Sequence, residues 1–170
     1  MYSPLIHKPL QGKVDYTLKY LKHVFGCQLE LALDYLKILY EKPTQILPII
    51  CLVSKKRDTG KSTFLKWLKA IYTSNMSFLD NQNIGGRFNS DWMGKLVVGV
   101  EEAAIKDDTL IDVLKNISTA DKYNSEAKGK DRVEVDMFLK IILCSNREVD
   151  LLKLDDDEIR FWVVKVPTIL

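Results

Sequence analysis

The sequence predicts an α/β protein with a phosphate-binding loop, in which a parallel sheet is flanked by helices and preceded by a short helical segment. Buried apolar strands alternate with helices along the chain, which is typical of a parallel α/β sheet. An apolar strand, a loop that ends in Gly60-Lys61-Ser62 and a helix follow one another, which is the context that a phosphate-binding loop requires. Two segments with helical spacing of apolar residues come before the first strand.

The N-terminal elements are predicted as two helices, over Val14–Phe25 and Gln28–Tyr40. Pro43 ends the second helix. We therefore expect a helical segment over residues 1–43, available as a collar, and a phosphate-loop core over residues 44–170.

The core elements follow from the pattern of apolar and polar residues. Strands are expected at Ile46–Val53, Ser77–Asp80, Lys95–Glu102, Phe138–Cys144 and Arg160–Val166. Helices are expected at Ser62–Tyr72 and Thr109–Ile117. Residues 81–91 are predicted as a loop, and residues 118–136 form a long polar stretch with no clear period.

The loop after the first strand supplies the candidate residues for binding a nucleotide. These are Ser54, Lys55, Lys56, Arg57, Asp58, Thr59, Gly60, Lys61, Ser62 and Thr63. Successive N–H groups and the positive end of the following helix can wrap a triphosphate. Lys61 would reach the β- and γ-phosphates, and the Ser62 hydroxyl would be a ligand of Mg²⁺. The alternative is a chance Gly-Lys-Ser at a helix N-terminus.

Lys55 stands where the usual loop has its first glycine. We therefore expect the loop to turn differently at its start, while Gly60, Lys61 and Ser62 keep the end that binds phosphate intact. The sequence predicts a site for ATP and Mg²⁺.

Polar residues also end two later strands, and ligands bind at the carboxyl ends of strands in an open parallel sheet. Glu101 and Glu102 follow one buried strand. Adjacent side chains on a strand point to opposite faces, so we expect Glu101 to be the metal partner and Glu102 the general base. Asn146 follows the other strand and could orient water without competing for its proton. An isolated Asn after a strand is more often a turn residue.

Composition excludes few functions, but it limits where a polyanion could bind and in which compartment the protein is expected. The 25 basic and 23 acidic residues give a net charge of +2, so any binding of a polyanion must come from local clusters such as those at Lys55–Arg57 and Lys128–Arg132. Three widely spaced cysteines argue against a disulfide framework or a zinc site and favour a reducing, cytoplasmic compartment. Without a signal peptide or an 18-residue apolar run, no membrane association is expected.

The order of these motifs resembles that of the superfamily 3 helicases of viruses and phages, which are ring-forming AAA+ ATPases. The closer resemblance is to the helicase domain of phage and plasmid primase-helicase proteins, over about Tyr35 to Val166. The resemblance implies an AAA+ type core and an ATP-dependent DNA helicase of viral or plasmid replication. It also implies single-stranded DNA as a partner, a hexameric ring, a primase or polymerase domain or partner, and the cytoplasm of a host cell.

The resemblance also implies individual roles in ATP hydrolysis. Lys61 and Ser62 match the lysine and the magnesium-binding hydroxyl of the phosphate loop. Glu101 and Glu102 match the metal-binding and catalytic carboxylates, and Asn146 matches the sensor that positions the attacking water.

Two further matches concern the neighbouring subunit and DNA. Arg160 matches the arginine finger, which reaches the γ-phosphate of the next subunit, although it could instead pair with the acidic run before it. Lys128 and Lys130 fall where this family places a hairpin that grips DNA in the central channel, although they could also be solvated lysines of an exposed turn.

Two alternatives from other classes stay open. A phosphate-loop kinase of a small acceptor would need an arginine-rich lid, whereas the arginines here are scattered along the chain. A nucleotide-dependent DNA-binding assembly module without unwinding activity would not need a base that activates water, and Glu101-Glu102 therefore argues against it.

Overall fold

The computed structural model describes residues 2–79, 92–101, 108–120, 122–125, 133–146 and 157–169. The helices of this part of the chain are α1 (Asp15–Phe25), α2 (Leu29–Glu41), α3 (Lys61–Tyr72) and α4 (Asp108–Thr119). Short 3₁₀ turns follow α1 and α3, at Gly26–Gln28 and Thr73–Asn75. The strands are β1 (Ile49–Val53), β2 (Met76–Leu79), β3 (Val97–Val100), β4 (Lys122–Ser125), β5 (Val133–Asp136), β6 (Lys140–Ser145) and β7 (Phe161–Lys165).

Five of these strands form one parallel sheet in the order β2-β3-β6-β1-β7. Every residue of β1, β3 and β6 is buried, as expected for strands covered on both faces. The predicted fold class is confirmed: the protein is α/β, its parallel sheet is flanked by helices, and a helical segment precedes it. Among the described residues, no helix is both long and apolar enough to cross a bilayer.

Alternate side chains of β1 enter two separate hydrophobic clusters, one on each face of the sheet. Ile50 and Leu52 pack with α1, α2 and α3, whereas Ile49 and Cys51 lie in the cluster that contains the apolar face of α4. Gly99 of β3 allows α3 to pack close to the sheet, because a Cβ there would lie 3.0 Å from a methyl group of Leu65.

The N-terminal helices share the first cluster with the sheet. Phe25 of α1 forms a T-shaped pair with Phe64 at a centroid distance of 5.2 Å and stacks on Trp162 of β7 at 5.5 Å. The indole N–H of Trp162 also donates a hydrogen bond to the side chain of Gln28. A domain boundary near residue 43 stays a prediction, and the helices before it pack on the same buried surface as α3.

Several predicted boundaries were wrong. The strand expected from Ile46 begins at Ile49, because Pro48 has no N–H to donate to a sheet ladder. Arg160, expected inside the last strand, comes just before β7. The strand expected from Phe138 begins at Lys140.

The polar stretch over residues 118–136, where the resemblance implies a hairpin, contains two antiparallel strands. Strand β4 pairs with β5, from Lys122 opposite Asp136 to Ser125 opposite Val133. Residues 126–132, which include Lys128 and Lys130, connect the two strands and lie outside the described residues, as does the loop predicted over residues 81–91.

Lys140 is completely buried at the start of β6. Its Nζ donates hydrogen bonds to the backbone carbonyls of Phe138, at 2.9 Å, and of Pro43, which joins β6 to the connection between α2 and β1. In the described parts of the chain, no carboxylate lies within 4.0 Å of this ammonium group. Burial lowers the pKa of Lys140 to about 8.

We predict that Lys140→Met removes a specific pH dependence of stability. The folded chain releases the Lys140 proton near pH 8, whereas an unfolded lysine holds it to about pH 10. Between these values the unfolded chain binds more protons, so the free energy of unfolding rises with pH, by about 3 kcal/mol for this group. Urea unfolding of both proteins at pH 7 and pH 10 should show this gain in the wild type relative to the variant. Parallel pH profiles would contradict the prediction.

Candidate functional site

The carboxyl ends of β1, β3 and β6 meet at one edge of the sheet, because β6 pairs in parallel with both other strands. A cleft of about 310 Å³ opens there. It is lined by residues 57–63, by Glu101 after β3, and by Cys144 and Asn146 at the end of β6. The structure therefore brings together the loop, one carboxylate and the amide that were predicted to meet.

The backbone of the loop explains why it needs no glycine at residue 55. Left-handed conformations occur at Asp58, with φ of 56°, and at Gly60, with φ of 98°. Lys55 is not among the residues with positive φ, so a side chain is tolerated there. The requirement for a residue that accepts positive φ thus falls later in the loop.

Helix α3 begins directly after Gly60, and its first turn faces the cleft. The first intrahelical hydrogen bond runs from the N–H of Phe64 to the carbonyl oxygen of Gly60 over 3.0 Å. The N–H groups of residues 61–63 come before that bond and have no partner within the helix. Unpaired N–H groups at the positive end of a helix are suited to binding an anion.

Lys61 is the central cation of the site and is only 7% exposed. Its Nζ donates hydrogen bonds to Asn146 Oδ1, at 3.0 Å, to Thr59 Oγ1, at 3.2 Å, and to Ser54 Oγ. Burial lowers the pKa of its amine. Across the described ranges, no carboxylate lies within 4.0 Å of it. Its hydrogen-bond partners are neutral oxygens, and the charge of Asp58 acts on it only from beyond 4.0 Å, so a phosphate group would supply a close counter-ion for this buried charge.

Ser54 fastens the start of the loop to the sheet. Its N–H donates to the carbonyl oxygen of Ser145 over 3.1 Å, and its hydroxyl donates to the carbonyl oxygen of Lys56 over 2.7 Å. The three basic residues that follow Ser54 are all exposed, and Arg57 is the one of the three that lines the cleft.

A hydroxyl and a carboxylate are available for a metal ion. Ser62 and Glu101 line the same cleft and have exposed side chains. Hydroxyl and carboxylate oxygens are ligands that Mg²⁺ accepts, so the pair fits the predicted magnesium site. Glu102, the predicted general base, lies outside the described residues, as do Lys128 and Lys130.

Arg160 lies at the opposite edge of the sheet from the cleft, because β7 begins with the next residue and pairs in parallel with β1. Its Nε and Nη2 donate to the two carboxylate oxygens of Glu158 over 2.7 and 2.6 Å. Lys115 of α4 lies 3.0 Å from the same carboxylate. The bonds from Arg160 lower the pKa of Glu158 to about 2. Pairing with the acidic run, considered above as an alternative, therefore occurs within the subunit, and a role in a neighbouring subunit stays a prediction.

Two residues that touch the loop were missed by the sequence analysis. The hydroxyl of Tyr20 donates to the carbonyl oxygen of Gly60 over 2.8 Å, and Nε2 of His23 lies 3.0 Å from the carbonyl oxygen of Thr59. Both belong to α1, where the periodicity of apolar residues identifies only the buried face.

Comparison with known proteins gives a family and a shared fold. Residues 52–160 match the family described as "Family of unknown function (DUF5906)". An apo structure of the NrS-1 C-terminal region (305–718) superposes with a TM-score of 0.85 at 22% identity, covering 98% of this chain and 42% of that one. An A-form apo structure of the same region gives a TM-score of 0.80 at 23% identity, covering 95% and 39%. These likenesses show the fold, and this chain spans about two fifths of the solved chains. No curated protein matches.

Proposed function

The chain belongs to DUF5906, a family of unknown function, and we propose that it is an ATP-hydrolysing DNA translocase of the superfamily 3 helicase type, acting in viral or plasmid replication. The observation that carries this proposal is the buried Lys61 ammonium group at the N-terminus of α3, which faces neutral oxygens in a cleft with Glu101 and Asn146. A buried cation without a carboxylate partner among the described residues is suited to a polyphosphate.

In the proposed reaction, each of these residues has a separate task in ATP hydrolysis. The N–H groups at the start of α3 and the Lys61 ammonium group bind the phosphates. Ser62 and Glu101 would hold Mg²⁺, which would neutralise charge on the phosphates when bound. Asn146 orients the attacking water, and Glu102 accepts its proton.

The hairpin of β4 and β5 supports a nucleic-acid partner. It is inserted between α4 and β6, apart from the main sheet, and its connection carries Lys128 and Lys130. Two lysines at the end of a hairpin can contact successive phosphates of single-stranded DNA without reading its sequence. In a hexameric ring these hairpins would line the central channel.

The position of Arg160 supports hydrolysis between subunits. It lies a strand length from the cleft of its own subunit, and 41% of its side chain is exposed. Glu158 takes the Nε and Nη2 edge of the guanidinium group, which leaves Nη1 for another partner. Arg160 then acts as the finger that contacts the γ-phosphate bound by the next subunit.

We predict that Lys61→Met separates stability from activity. The substitution removes a buried charge. The hydroxyl oxygens of Ser54 and Thr59 already lie 3.2 Å apart, so these two groups can hydrogen-bond to each other. The melting temperature without nucleotide should therefore be equal or higher, while ATP with Mg²⁺ should no longer raise it and hydrolysis should fall to background. Lys37→Met, at an exposed lysine of α2, is the matched control. Near-normal turnover in Lys61→Met would show that the nucleotide does not bind in this cleft.

Replacing Lys128 and Lys130 with Ala should weaken binding of single-stranded DNA about equally for all sequences. The slope of log affinity against log salt should flatten by up to roughly 0.7 per lost phosphate contact. ATPase activity without DNA should persist, and its stimulation by DNA should fall. The matched control replaces two exposed lysines with Ala, Lys13 just before α1 and Lys19 within it. An unchanged salt slope would show that Lys128 and Lys130 are ordinary surface residues. If DNA does not stimulate the ATPase activity of the wild type, the kinase alternative is favoured.

Arg160→Ala should bind ATP but hydrolyse it poorly, because arginine fingers contribute about 10³–10⁵-fold to phosphoryl transfer. Mixing Arg160→Ala with Lys61→Met subunits should restore part of the activity, since some interfaces would then join an intact loop to an intact finger. Sizing measurements must show that the mixed oligomers form. Mixed oligomers without restored activity, or full activity in a strict monomer, would contradict hydrolysis between subunits.

A further inference from the structure

Helix α1 contributes two hydrogen bonds to the part of the loop that precedes α3. Tyr20 donates to the carbonyl oxygen of Gly60 at 2.8 Å, and His23 donates through Nε2 to the carbonyl oxygen of Thr59 at 3.0 Å. The acceptors are carbonyls, so Nε2 of His23 carries the proton. Burial raises the pKa of Tyr20, so its hydroxyl keeps the proton that it donates.

These two hydrogen bonds help to fix the direction in which the adjoining N–H groups point. The carbonyl of Thr59 shares a peptide unit with the N–H of Gly60, and the carbonyl of Gly60 shares one with the N–H of Lys61. The described chain contains no cis peptide bond, so carbonyl and N–H point in opposite directions in each unit. Because both carbonyls point toward α1, both N–H groups point away from it, and Gly60 and Lys61 both line the cleft.

The Thr59–Gly60 peptide precedes α3, so the helix does not fix its orientation, whereas the Gly60–Lys61 peptide is also held by the first hydrogen bond of α3, from the N–H of Phe64. A peptide unit beside glycine can rotate at little steric cost, and Gly60 already has a φ of 98°. The Tyr20 ring also packs against this residue, since its edge lies 3.4 Å from where a Cβ of Gly60 would be. Helix α1 is itself held in place, because Phe25 packs on Phe64 of α3 and on Trp162 of β7.

We propose that Tyr20 and His23 are positioning residues that turn the N–H groups of Gly60 and Lys61 toward the phosphates of the ligand. This inference rests on the proposed function of the cleft and deepens it, because it assigns recognition of the polyphosphate to contacts with the N-terminal helix. The two side chains act through the loop backbone and do not touch the ligand. Their contribution is therefore confined to the phosphates.

The test compares binding of three probes by the full chain: inorganic pyrophosphate, ATP and adenosine, measured by calorimetry. Tyr20→Phe keeps the ring and removes the donor, and His23→Leu removes the imidazole. Each should weaken binding of pyrophosphate and ATP by about two- to twelvefold, the range for one hydrogen bond. His23→Gln, whose amide can donate to the same carbonyl, should recover most of the affinity. Any affinity for adenosine should not change, because adenosine has no phosphate.

Two matched controls isolate the contact with the loop. Tyr16→Phe alters an exposed tyrosine on the same helix. His7→Leu removes a similar contact away from the loop, between His7 Nε2 and the carbonyl oxygen of Ala70, at 3.1 Å. Both controls should bind pyrophosphate as the wild type does. In steady-state assays, Tyr20→Phe and His23→Leu should raise KM for ATP and leave kcat nearly unchanged, because the same N–H groups contact the phosphates before and during the reaction.

The outcomes separate this inference from the proposed function. It is overturned if Tyr20→Phe and His23→Leu bind pyrophosphate as tightly as the wild type, or lose no more affinity than His7→Leu does. It is also overturned if adenosine binding weakens in parallel, since that would indicate a general structural effect. If the wild type binds pyrophosphate and Lys61→Met does not, the proposed function still holds. Either of these two results then rejects only the positioning role of Tyr20 and His23. A wild type that binds neither pyrophosphate nor ATP rejects the proposed function itself.

Discussion

The burial of one ammonium group, that of Lys61, is the constraint on which the rest of the site depends. An ammonium group removed from water needs hydrogen-bond acceptors, and here the acceptor oxygens come from three separate places: the residue after β1, the loop, and the residue after β6. These oxygens converge only because β1 and β6 are adjacent, parallel and end at the same level. The order of strands in the sheet therefore also brings together the oxygen atoms that accept hydrogen bonds from Lys61.

The loop is supported from two directions. On one side, the hydroxyls of Ser54 and Thr59 and the amide of Asn146 face the Lys61 ammonium group. On the other, α1 holds backbone carbonyls through Tyr20 and His23. The N-terminal helices thus do more than precede the sheet in the chain, because they cover one face of it and also contact the loop at the edge.

The parts of the structure that could be predicted have a local signal. Strands β1 and β3 are apolar throughout, β6 contains the apolar run Ile141–Cys144, and the Gly-Lys-Ser sequence between a strand and a helix identified the loop. The contacts from Tyr20 and His23 could not be predicted, because a hydrogen bond between residues 36 to 40 positions apart leaves no periodic pattern. Strand β4 was missed because Lys122–Ser125 has no apolar alternation to distinguish it from a polar loop. The ion pair of Glu158 with Arg160 was recognised only as one of two alternatives, since adjacent charges do not reveal which partner each one meets.

The position of β1 between β6 and β7 has a consequence for synthesis of the chain on the ribosome. The strand that carries the loop is made early, yet both of its neighbours begin only at residues 140 and 161. At about 5–20 residues per second, its fully apolar sequence waits roughly 4–20 seconds for its first partner strand. During that interval, α1, α2 and α3 are the segments already available to cover it, and they supply one face of its final surroundings. Early packing of these helices would shield a nascent strand that could otherwise pair with other chains.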